Sequence, residues 1–305
     1  MFAELFPQLT EQGYQGRIVP IEHLADLREE IEGRYKQGML DPELYEIYLT
    51  EFDFRPPDNL PDARSILVVA VPQPRVRVTF GWDGGTVQAD IPPTYGEEKK
   101  DRRVRERLAQ VLAPAGVRIA EARLPKKLLA TRSGLAVYGK NNITYVPGLG
   151  SFYGLVAMYS DLAAREDPWQ EPKMMERCET CSACLRHCPT GAIAAYRFLL
   201  HAERCLTFLN EKPADVPFPG WLDPVWHNCL VGCLHCQRVC PENREVWPWV
   251  EEGAEFSREE TALLLEGCPV DRLPEGTAEK LERLDVEGLK DLLPRNLEAL
   301  LSPRR

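Results

Sequence analysis

The pattern of hydrophobic and polar positions predicts helices near the start of the chain. Apolar residues recur at intervals of three and four across residues 18–52, and Leu24, Leu27 and Ile31 share one face of the predicted helix. A second helix is predicted to begin at Asp41, because aspartate is a favourable N-cap and the proline after it suits the first helical position.

Two continuous apolar runs predict strands that are buried on both faces. They span residues 65–71 and 152–158 and contain few polar residues. Residues 75–91 alternate instead between apolar and polar positions, and a turn beginning at Asp83 divides them. This alternation around a glycine-containing turn predicts a hairpin.

Helical and strand-like segments alternate over the rest of the first half. The pattern predicts a charged amphipathic helix over residues 97–113 and a strand over residues 117–121. Because helices and strands alternate in this way, residues 1–165 are predicted to form an α/β domain.

The second half of the chain has a different pattern. Residues 166–247 hold most of the cysteines and are predicted to form a domain with little regular structure. Residues 248–305 are predicted to form a short helical tail, in which Ser257 and Glu260 have the spacing of a capping box. We expect this tail to pack against the cysteine-rich domain, and the predicted fold class of the whole chain is α+β.

Composition and charge narrow the classes of function. The chain has 305 residues and a net charge of -10, so it does not have the overall basic charge of a nucleic-acid-binding protein. No apolar run is long enough to span a bilayer, and the first residues lack the basic and apolar regions of a secretory signal. We therefore predict a cytoplasmic protein that does not bind membranes.

The cysteines are strongly clustered. Nine of the ten lie between Cys178 and Cys240, and the tenth is Cys268. A disulfide scaffold would spread its cysteines along the chain and would need an oxidising compartment. The clustering therefore favours a metal-binding function.

The clustered cysteines contain two versions of one motif. The first is C-x2-C-x2-C-x3-C-P from Cys178 to Pro189, and the second is C-x2-C-x3-C-P from Cys233 to Pro241. In two-cluster ferredoxins, three cysteines of such a run bind one iron–sulfur cluster and the last cysteine binds the other cluster. Structural zinc sites use paired C-x2-C units instead, so the pattern predicts two [4Fe-4S] clusters.

The reciprocal arrangement assigns most of the ligands. Cluster one is predicted to bind Cys178, Cys181, Cys184 and Cys240. Cluster two is predicted to bind Cys188, Cys233, Cys236 and one further cysteine. The candidates for this further ligand are Cys205, at a predicted helix start, and Cys229, four residues before Cys233. Spacing alone slightly favours Cys229.

An ordered series of motifs carries a resemblance to a known family. The segments are "SGLAVYGKNN", "GSFYGL", "CETCSACLRHCPTGAI", "ERCLTFLNE" and "GCLHCQRVCPEN". Together they resemble the epoxyqueuosine reductases. The resemblance implies a cobalamin-dependent oxidoreductase with two [4Fe-4S] clusters and an α/β cobalamin-binding domain of the reductive dehalogenase and nitroreductase type. It also implies that Cys205, which follows Arg204, is the fourth ligand of cluster two, so that Cys229 has no ligand role.

The resemblance further implies a cobalamin pocket. The residues at the matching positions are glycines, which allow close approach of the backbone, and polar or aromatic residues that can contact the corrin and its amide side chains. They are Gly139, Lys140, Asn141, Asn142, Ser151, Phe152, Thr207 and Gly232.

The chain also departs from the family pattern. The catalytic aspartate of the family falls on Ala120, a following Glu-Arg pair is replaced by Lys126 and Lys127, and the family tryptophan is replaced by Val137. Glu121 and Tyr138 are the candidates for a replacement proton donor. The acidic net charge and the short tail argue against tRNA as the substrate.

These observations lead to a preferred hypothesis and two alternatives. The preferred function is a cobalamin-dependent reductase with a different substrate, which receives electrons from a low-potential donor such as a ferredoxin or flavodoxin. The first alternative is an electron-transfer protein without substrate chemistry of its own, which passes electrons to a partner such as a corrinoid protein. The second is an iron–sulfur protein that has lost cobalamin and keeps the fold as an interaction module.

Overall fold

The computed structural model describes residues 2–302. In chain order, the strands are β1 (Gln15–Pro20), β2 (Ser65–Pro72), β3 (Arg75–Trp82), β4 (Gly85–Ile91), β5 (Ile119–Glu121), β6 (Val137–Tyr138), β7 (Thr144–Tyr145), β8 (Tyr153–Ser160) and β9 (Val250–Phe256). The α-helices are α1 (Phe2–Leu5), α2 (Pro7–Glu11), α3 (Leu24–Lys36), α4 (Pro42–Leu44), α5 (Glu97–Leu112), α6 (Lys126–Arg132), α7 (Arg177–Thr180), α8 (Ala183–His187), α9 (Leu206–Glu211), α10 (His235–Arg238), α11 (Arg258–Leu265), α12 (Glu275–Leu284) and α13 (Leu293–Leu301).

The chain forms two compact units, and neither is a continuous segment. The first contains the chain up to Pro72, Glu98–Ser182 and Tyr196–Leu199. The second contains Gln73–Glu97, Ala183–Ala195 and the chain from Leu200 onward. This division differs from the three consecutive domains predicted at 1–165, 166–247 and 248–305, chiefly because the β3–β4 hairpin belongs to the second unit.

The first unit is built on a four-stranded sheet with the order β1-β2-β8-β5, in which all neighbouring strands are antiparallel. The continuous apolar run of β2 is explained by two hydrophobic cores, one on each face. Ile66, Val68 and Ala70 belong to one core, and the alternate residues of the strand belong to the other. The prediction of buried strands is therefore confirmed for β2 and β8.

The start of the predicted helical region is a strand. Residues 18–20 belong to β1 and pair with β2, so that Ile18 lies opposite Leu67. The apolar spacing of this short segment suits either structure, and pairing with a buried strand decides it. The following helices agree with the prediction, and the carboxylate of Asp41 accepts a hydrogen bond from the Leu44 N–H at the start of α4.

The second unit combines the hairpin, the cysteine motifs and the tail. Its three-stranded sheet has the order β4-β3-β9, with β9 parallel to β3. The segment predicted as a helical tail therefore begins with a strand, because pairing with β3 determines its structure. Helices α11 to α13 pack with this sheet in one hydrophobic core that also contains Leu230 and Val231 from the cysteine-rich region. The predicted packing of the tail against that region and the predicted capping box of α11 are therefore confirmed.

These elements form an α+β fold, as predicted. Within residues 2–302, no helix has both the length and the apolar character needed to cross a membrane.

Candidate functional site

The first cysteine motif is held by the loop that precedes it in the first unit. The backbone N–H of Lys140 donates to Cys178 Sγ at 3.4 Å, and Lys140 Nζ donates to the Cys181 carbonyl oxygen at 2.8 Å. The nearby strand is also paired with the chain that leads into the motif, because the Tyr138 N–H donates to the Lys173 carbonyl oxygen at 2.8 Å. Two of the predicted ligands of cluster one are thus attached to the loop assigned to cobalamin by the resemblance.

That loop is tightly packed within itself. A Cβ at Gly139 would lie 2.6 Å from both Asn141 Oδ1 and Tyr145 Cε2, so only glycine fits there. Asn141 is buried, and its Nδ2 donates to the Tyr145 hydroxyl at 2.9 Å. Asn142 has a φ of 60°, and its carbonyl oxygen accepts from Lys127 Nζ at 3.3 Å. The side-chain amide of Asn141 is therefore already used inside the loop.

The other two predicted cobalamin residues of the first unit lie at the start of β8. Ser151 and Phe152 are buried, with 2% and 0% of their surface exposed. They immediately precede the strand that pairs with β2 in the centre of the sheet. The rigid core strand therefore fixes the backbone at these two positions.

Four cysteines of the second unit form one compact set. They are Cys188, Cys205, Cys233 and Cys236. Burial raises the pKa of the last three, and every one of the six possible pairs is close enough for one thiolate to raise the pKa of its neighbour further. The ligand set of cluster two stays a prediction, because Cys236 is also close to Cys184 and Cys229.

The local structure explains how these thiols are presented. Cys205 is the N-cap residue of α9, and the neighbouring Thr207 and Phe208 lower its pKa and so partly offset the rise caused by burial. Cys236 lies in α10, which packs against α8, the helix that ends just before Cys188. Thr207 therefore lies beside a predicted ligand of cluster two, and its predicted contact with cobalamin stays a prediction.

Cys229 is in a different environment. Its side chain is completely buried, its backbone bridges to Asp90 of β4, and the carboxylate of Asp90 and the thiol of Cys236 add to the raised pKa caused by burial. Cys229 therefore lies between the hairpin and the second motif. The choice of Cys205 as a ligand stays a prediction, since Cys229 is also close to Cys233.

The donor set fits iron–sulfur clusters. All ten cysteines are free thiols. Within residues 2–302, no three His, Cys, Asp or Glu side chains converge as they would around a single metal ion. A [4Fe-4S] cluster does not require such convergence, because each of its four irons takes a separate thiolate.

Tyr95 and Asn210 contact Gly232, a predicted cobalamin residue, and Glu211 in turn bonds to Tyr95, and none of these three residues was predicted from the sequence. Gly232 has a φ of 70°, and a Cβ there would lie 2.7 Å from the Tyr95 hydroxyl. Tyr95 donates a hydrogen bond to Glu211, and Asn210 Nδ2 donates to the Gly232 carbonyl oxygen at 2.7 Å. Nothing in the sequence marks these residues, because their contacts join segments more than twenty residues apart.

One buried atom at this position tests the fit to cobalamin. Asn210 is completely buried, and its Oδ1 accepts no hydrogen bond from the described part of the chain. An unsatisfied buried acceptor indicates a ligand or water that completes it. Asn210 Oδ1 is a hydrogen-bond acceptor, so it can accept from an amide N–H, and the side chains of the corrin ring carry such amides.

The two candidate proton donors lie apart from these positions. Glu121 is exposed and lies 3.7 Å from Arg105 in an ion pair. It pairs with Met158, six residues along β8 from Phe152, which corresponds to about 20 Å along a strand. Tyr138 is buried, its ring packs edge-on against Phe198, and burial raises its pKa to about 12. Neither has the exposure and position expected of a proton donor beside Phe152.

Comparison with known proteins defines the class to which this site belongs. Residues 177–243 match the family described as the 4Fe-4S double cluster binding domain. The chain therefore carries a double-cluster iron–sulfur domain, and this match covers both cysteine motifs.

The resemblance to the epoxyqueuosine reductases is also confirmed. The chain is 34% identical over 154 residues to the epoxyqueuosine reductase of Pseudomonas aeruginosa, which covers 49% of this chain and 41% of that protein. It is 27% identical over 211 residues to the enzyme of Staphylococcus aureus, covering 62% and 50%. The matched region thus spans only two-fifths to a half of the length of these curated relatives.

The fold agrees with the same comparison. The structure of epoxyqueuosine reductase from Streptococcus thermophilus matches with a TM-score of 0.66 and 18% identity, covering 99% of this chain and 81% of that one. An epoxyqueuosine reductase solved with an epoxyqueuosine-modified tRNA-Tyr stem loop matches with a TM-score of 0.63 and 22% identity, covering 98% and 80%.

Proposed function

We propose that the protein is a cobalamin-dependent iron–sulfur reductase that acts on a small organic substrate and not on tRNA. The observation that carries the proposal is the compact set of Cys188, Cys205, Cys233 and Cys236. Four mutually close thiols within one unit suit a single [4Fe-4S] cluster. When bound, the clusters supply one-electron transfer, and cobalamin supplies a low-valent metal that can reduce an organic substrate.

The residues of the chain have separable tasks in this proposal. The N–H of Lys140 stabilises negative charge on Cys178, and Thr207 does the same for Cys205. Gly232 allows close packing of Tyr95 against the turn before Cys233, and Asn210 Oδ1 is the acceptor proposed for an amide N–H of the cofactor.

The choice of substrate class rests on charge and on the lost family residues. The net charge is -10, and β9 presents the exposed residues Glu251, Glu252 and Glu255. These charges repel a polyphosphate backbone. The family aspartate is replaced by Ala120 on β5, and a small substrate suits an acidic chain better than a tRNA.

A second candidate function is electron transfer to a corrinoid protein, without substrate chemistry in this chain. The observation that favours it is the position of the two candidate acids. Glu121 is exposed and distant from Phe152 along β8, and Tyr138 is buried with its pKa raised to about 12. Neither residue is well placed to supply a proton.

Anaerobic reconstitution tests the proposal. The protein is reconstituted with iron and sulfide, and cobalamin is added while its absorption spectrum is recorded. The proposal predicts about eight irons per chain and saturable binding of cobalamin. Binding of iron without cobalamin would overturn the reductase proposal.

Turnover then distinguishes the substrate classes. The loaded protein and a low-potential reductant are supplied with epoxyqueuosine in a tRNA stem loop and, separately, as the free nucleoside. Reduction of the small molecule alone supports the proposal, and reduction of the stem loop alone overturns the substrate class. Reduction of a corrinoid protein without reduction of any small molecule favours the second candidate.

A further inference from the structure

Two adjacent residues of the C-terminal helix hold the backbone near the predicted ligands of cluster two. Arg295 Nη2 donates to the Asn210 carbonyl oxygen at 3.0 Å. Asn296 Nδ2 donates to the same oxygen at 3.0 Å and to the Leu230 carbonyl oxygen at 3.1 Å. Asn296 is completely buried, so these bonds are protected from water.

The first segment held in this way begins with a cluster ligand. Cys205 is the N-cap of α9, and Asn210 is the penultimate residue of that helix. The last carbonyl groups of a helix have no partner within the helix. Arg295 supplies donors to this end, and its Nη1 also reaches the Pro213 and Val216 carbonyl oxygens at 2.9 and 2.8 Å.

The second segment leads directly into another ligand. Leu230 precedes Gly232 and Cys233, and the Gly232 carbonyl oxygen accepts from Asn210 Nδ2 at 2.7 Å. The Asn210 backbone and side chain therefore join the helix of Cys205 to the turn before Cys233, and Asn296 bonds to both. The contacts form one connected group around two of the four thiols.

The helix that carries these residues is itself fixed. Leu293, Leu297 and Leu300 are buried in the core of the second unit. The Arg295 guanidinium lies 4.6 Å from the centre of the Phe218 ring, which restricts its position further. Because α13 is fixed in this way, the side chains of Arg295 and Asn296 can fix the positions of α9 and of the turn before Cys233.

We propose that Arg295 and Asn296 are positioning residues of the redox site, so that the C-terminal helix sets the geometry and charge environment of cluster two. They fix the separation of Cys205 and Cys233, and the guanidinium stabilises the more negative, reduced cluster. The inference rests on the double-cluster part of the proposed function and is independent of cobalamin and of the substrate.

The test compares three variants of the full reconstituted protein by iron content, electron paramagnetic resonance and redox titration. Arg295→Met removes the charge and the donors, Arg295→Lys keeps the charge, and Arg283→Met changes an exposed arginine of the same tail. Arg295→Met is expected to make reduction of cluster two about tenfold less favourable, which is about 59 mV for a one-electron couple. Arg295→Lys should recover most of this change, and Arg283→Met should equal the wild type.

The Asn296→Leu variant tests the positioning of the segments that carry Cys205 and Cys233 separately from the effect of the Arg295 charge. It removes both amide donors without changing the net charge, so we expect an altered resonance signal of cluster two and faster amide exchange in residues 206–211 and 230–234. The inference would be overturned if the wild-type protein binds about eight irons but Arg295→Met and Asn296→Leu show the same reduction potential and resonance signal as Arg283→Met. The cluster assignment would stand in that case.

Two further outcomes are a variant that does not fold and a wild-type protein that does not bind both clusters. If Arg295→Met does not fold, Asn296→Leu decides. A resonance signal of cluster two and an amide exchange rate in Asn296→Leu that equal those of the wild type would overturn the inference. A wild-type protein that cannot hold two clusters would overturn the cluster assignment, and the inference would fall with it.

Discussion

At the scale of single residues, Cys205 and Cys229 show how spacing along the chain and proximity in space can disagree. Cys229 is nearer to Cys233 in sequence, but Cys205 completes a set in which all four thiols are mutually close. Cys229 is bound by its backbone to the hairpin at Asp90. Ligand choice in this region thus depends on contacts between distant segments.

Substitution of the two cysteines distinguishes their roles. Cys205→Ala is expected to lose cluster two and to retain about four of eight irons, because each cubane requires four thiolates. Cys229→Ala is the matched control and should retain about eight. Iron and sulfide analysis after anaerobic reconstitution measures both, and the opposite result in the two variants would exchange their roles.

His227 provides a prediction about pH. Burial, with a contribution from Arg295, lowers its pKa from 6.5 to about 4. The unfolded chain therefore binds more protons than the folded protein between these values, so this residue stabilises the protein fully above pH 6.5 and loses that contribution as the pH falls towards 4. The expected loss is on the order of 3 kcal/mol.

A substituted protein isolates this contribution. His227→Phe keeps an aromatic ring and cannot titrate. Urea unfolding of both proteins between pH 4 and pH 7 should show a steeper loss of the free energy of unfolding in the wild type. If the free energy of unfolding depends on pH equally in the two proteins, the lowered pKa of His227 is contradicted, because the pH effects of all other groups are common to both proteins and cancel.

Some residues of the site could be predicted from the sequence because they lie in local motifs, and others could not because their contacts are with distant segments. The cysteines and Lys140 lie in local motifs, so their spacing identifies them. Asn210 and Arg295 act through hydrogen bonds to segments that are far away in sequence. An asparagine at the end of a short helix has no local pattern that reveals such a role.

At the scale of elements, periodicity predicted buried strands and capped helices well. It failed at residues 18–20, where pairing with β2 determines the structure. It also predicted the β3–β4 hairpin correctly, but the parallel pairing of β3 with β9 cannot be read from either strand alone. A local pattern of apolar and polar residues does not show which distant strands pair with each other.

The packing of α5 on β8 gives a prediction at this scale. A Cβ at Gly154 would lie 2.5 Å from Lys100 Cδ and 2.7 Å from its Cε. Gly154→Ala should therefore destabilise the protein by about 1–3 kcal/mol, the usual cost of overpacking. The same substitution in a Lys100→Ala protein should cost much less, because the clashing side chain is absent.

The control for this experiment is another glycine-to-alanine change. Gly33 lies within α3 and has no atom close to the position of an added Cβ. Gly33→Ala should stabilise the protein by about 0.5–1 kcal/mol. Denaturant midpoints measure all variants, and a Gly154→Ala protein as stable as the wild type would contradict the packing argument.

At the scale of the whole molecule, the net charge of -10 predicts weak binding of nucleic acid. An epoxyqueuosine-modified tRNA stem loop should bind in the non-specific range, with a Kd of roughly 10⁻⁴ to 10⁻⁶ M at physiological salt. Fluorescence anisotropy with modified and unmodified stem loops measures this. Nanomolar binding that distinguishes the two would contradict the proposed substrate class.

The parallel pairing of β3 with β9 also has a consequence for synthesis of the protein. Partners such as Arg77 and Glu252 are 175 positions apart, so the ribosome completes the hairpin long before its third strand exists. At ordinary rates of translation, the interval from the end of β4 to the end of β9 is about 8–33 s. During that time one edge of the hairpin has no strand to pair with, and such edges promote aggregation. Slower elongation after residue 91 should therefore lower the yield of native protein unless a chaperone covers this edge.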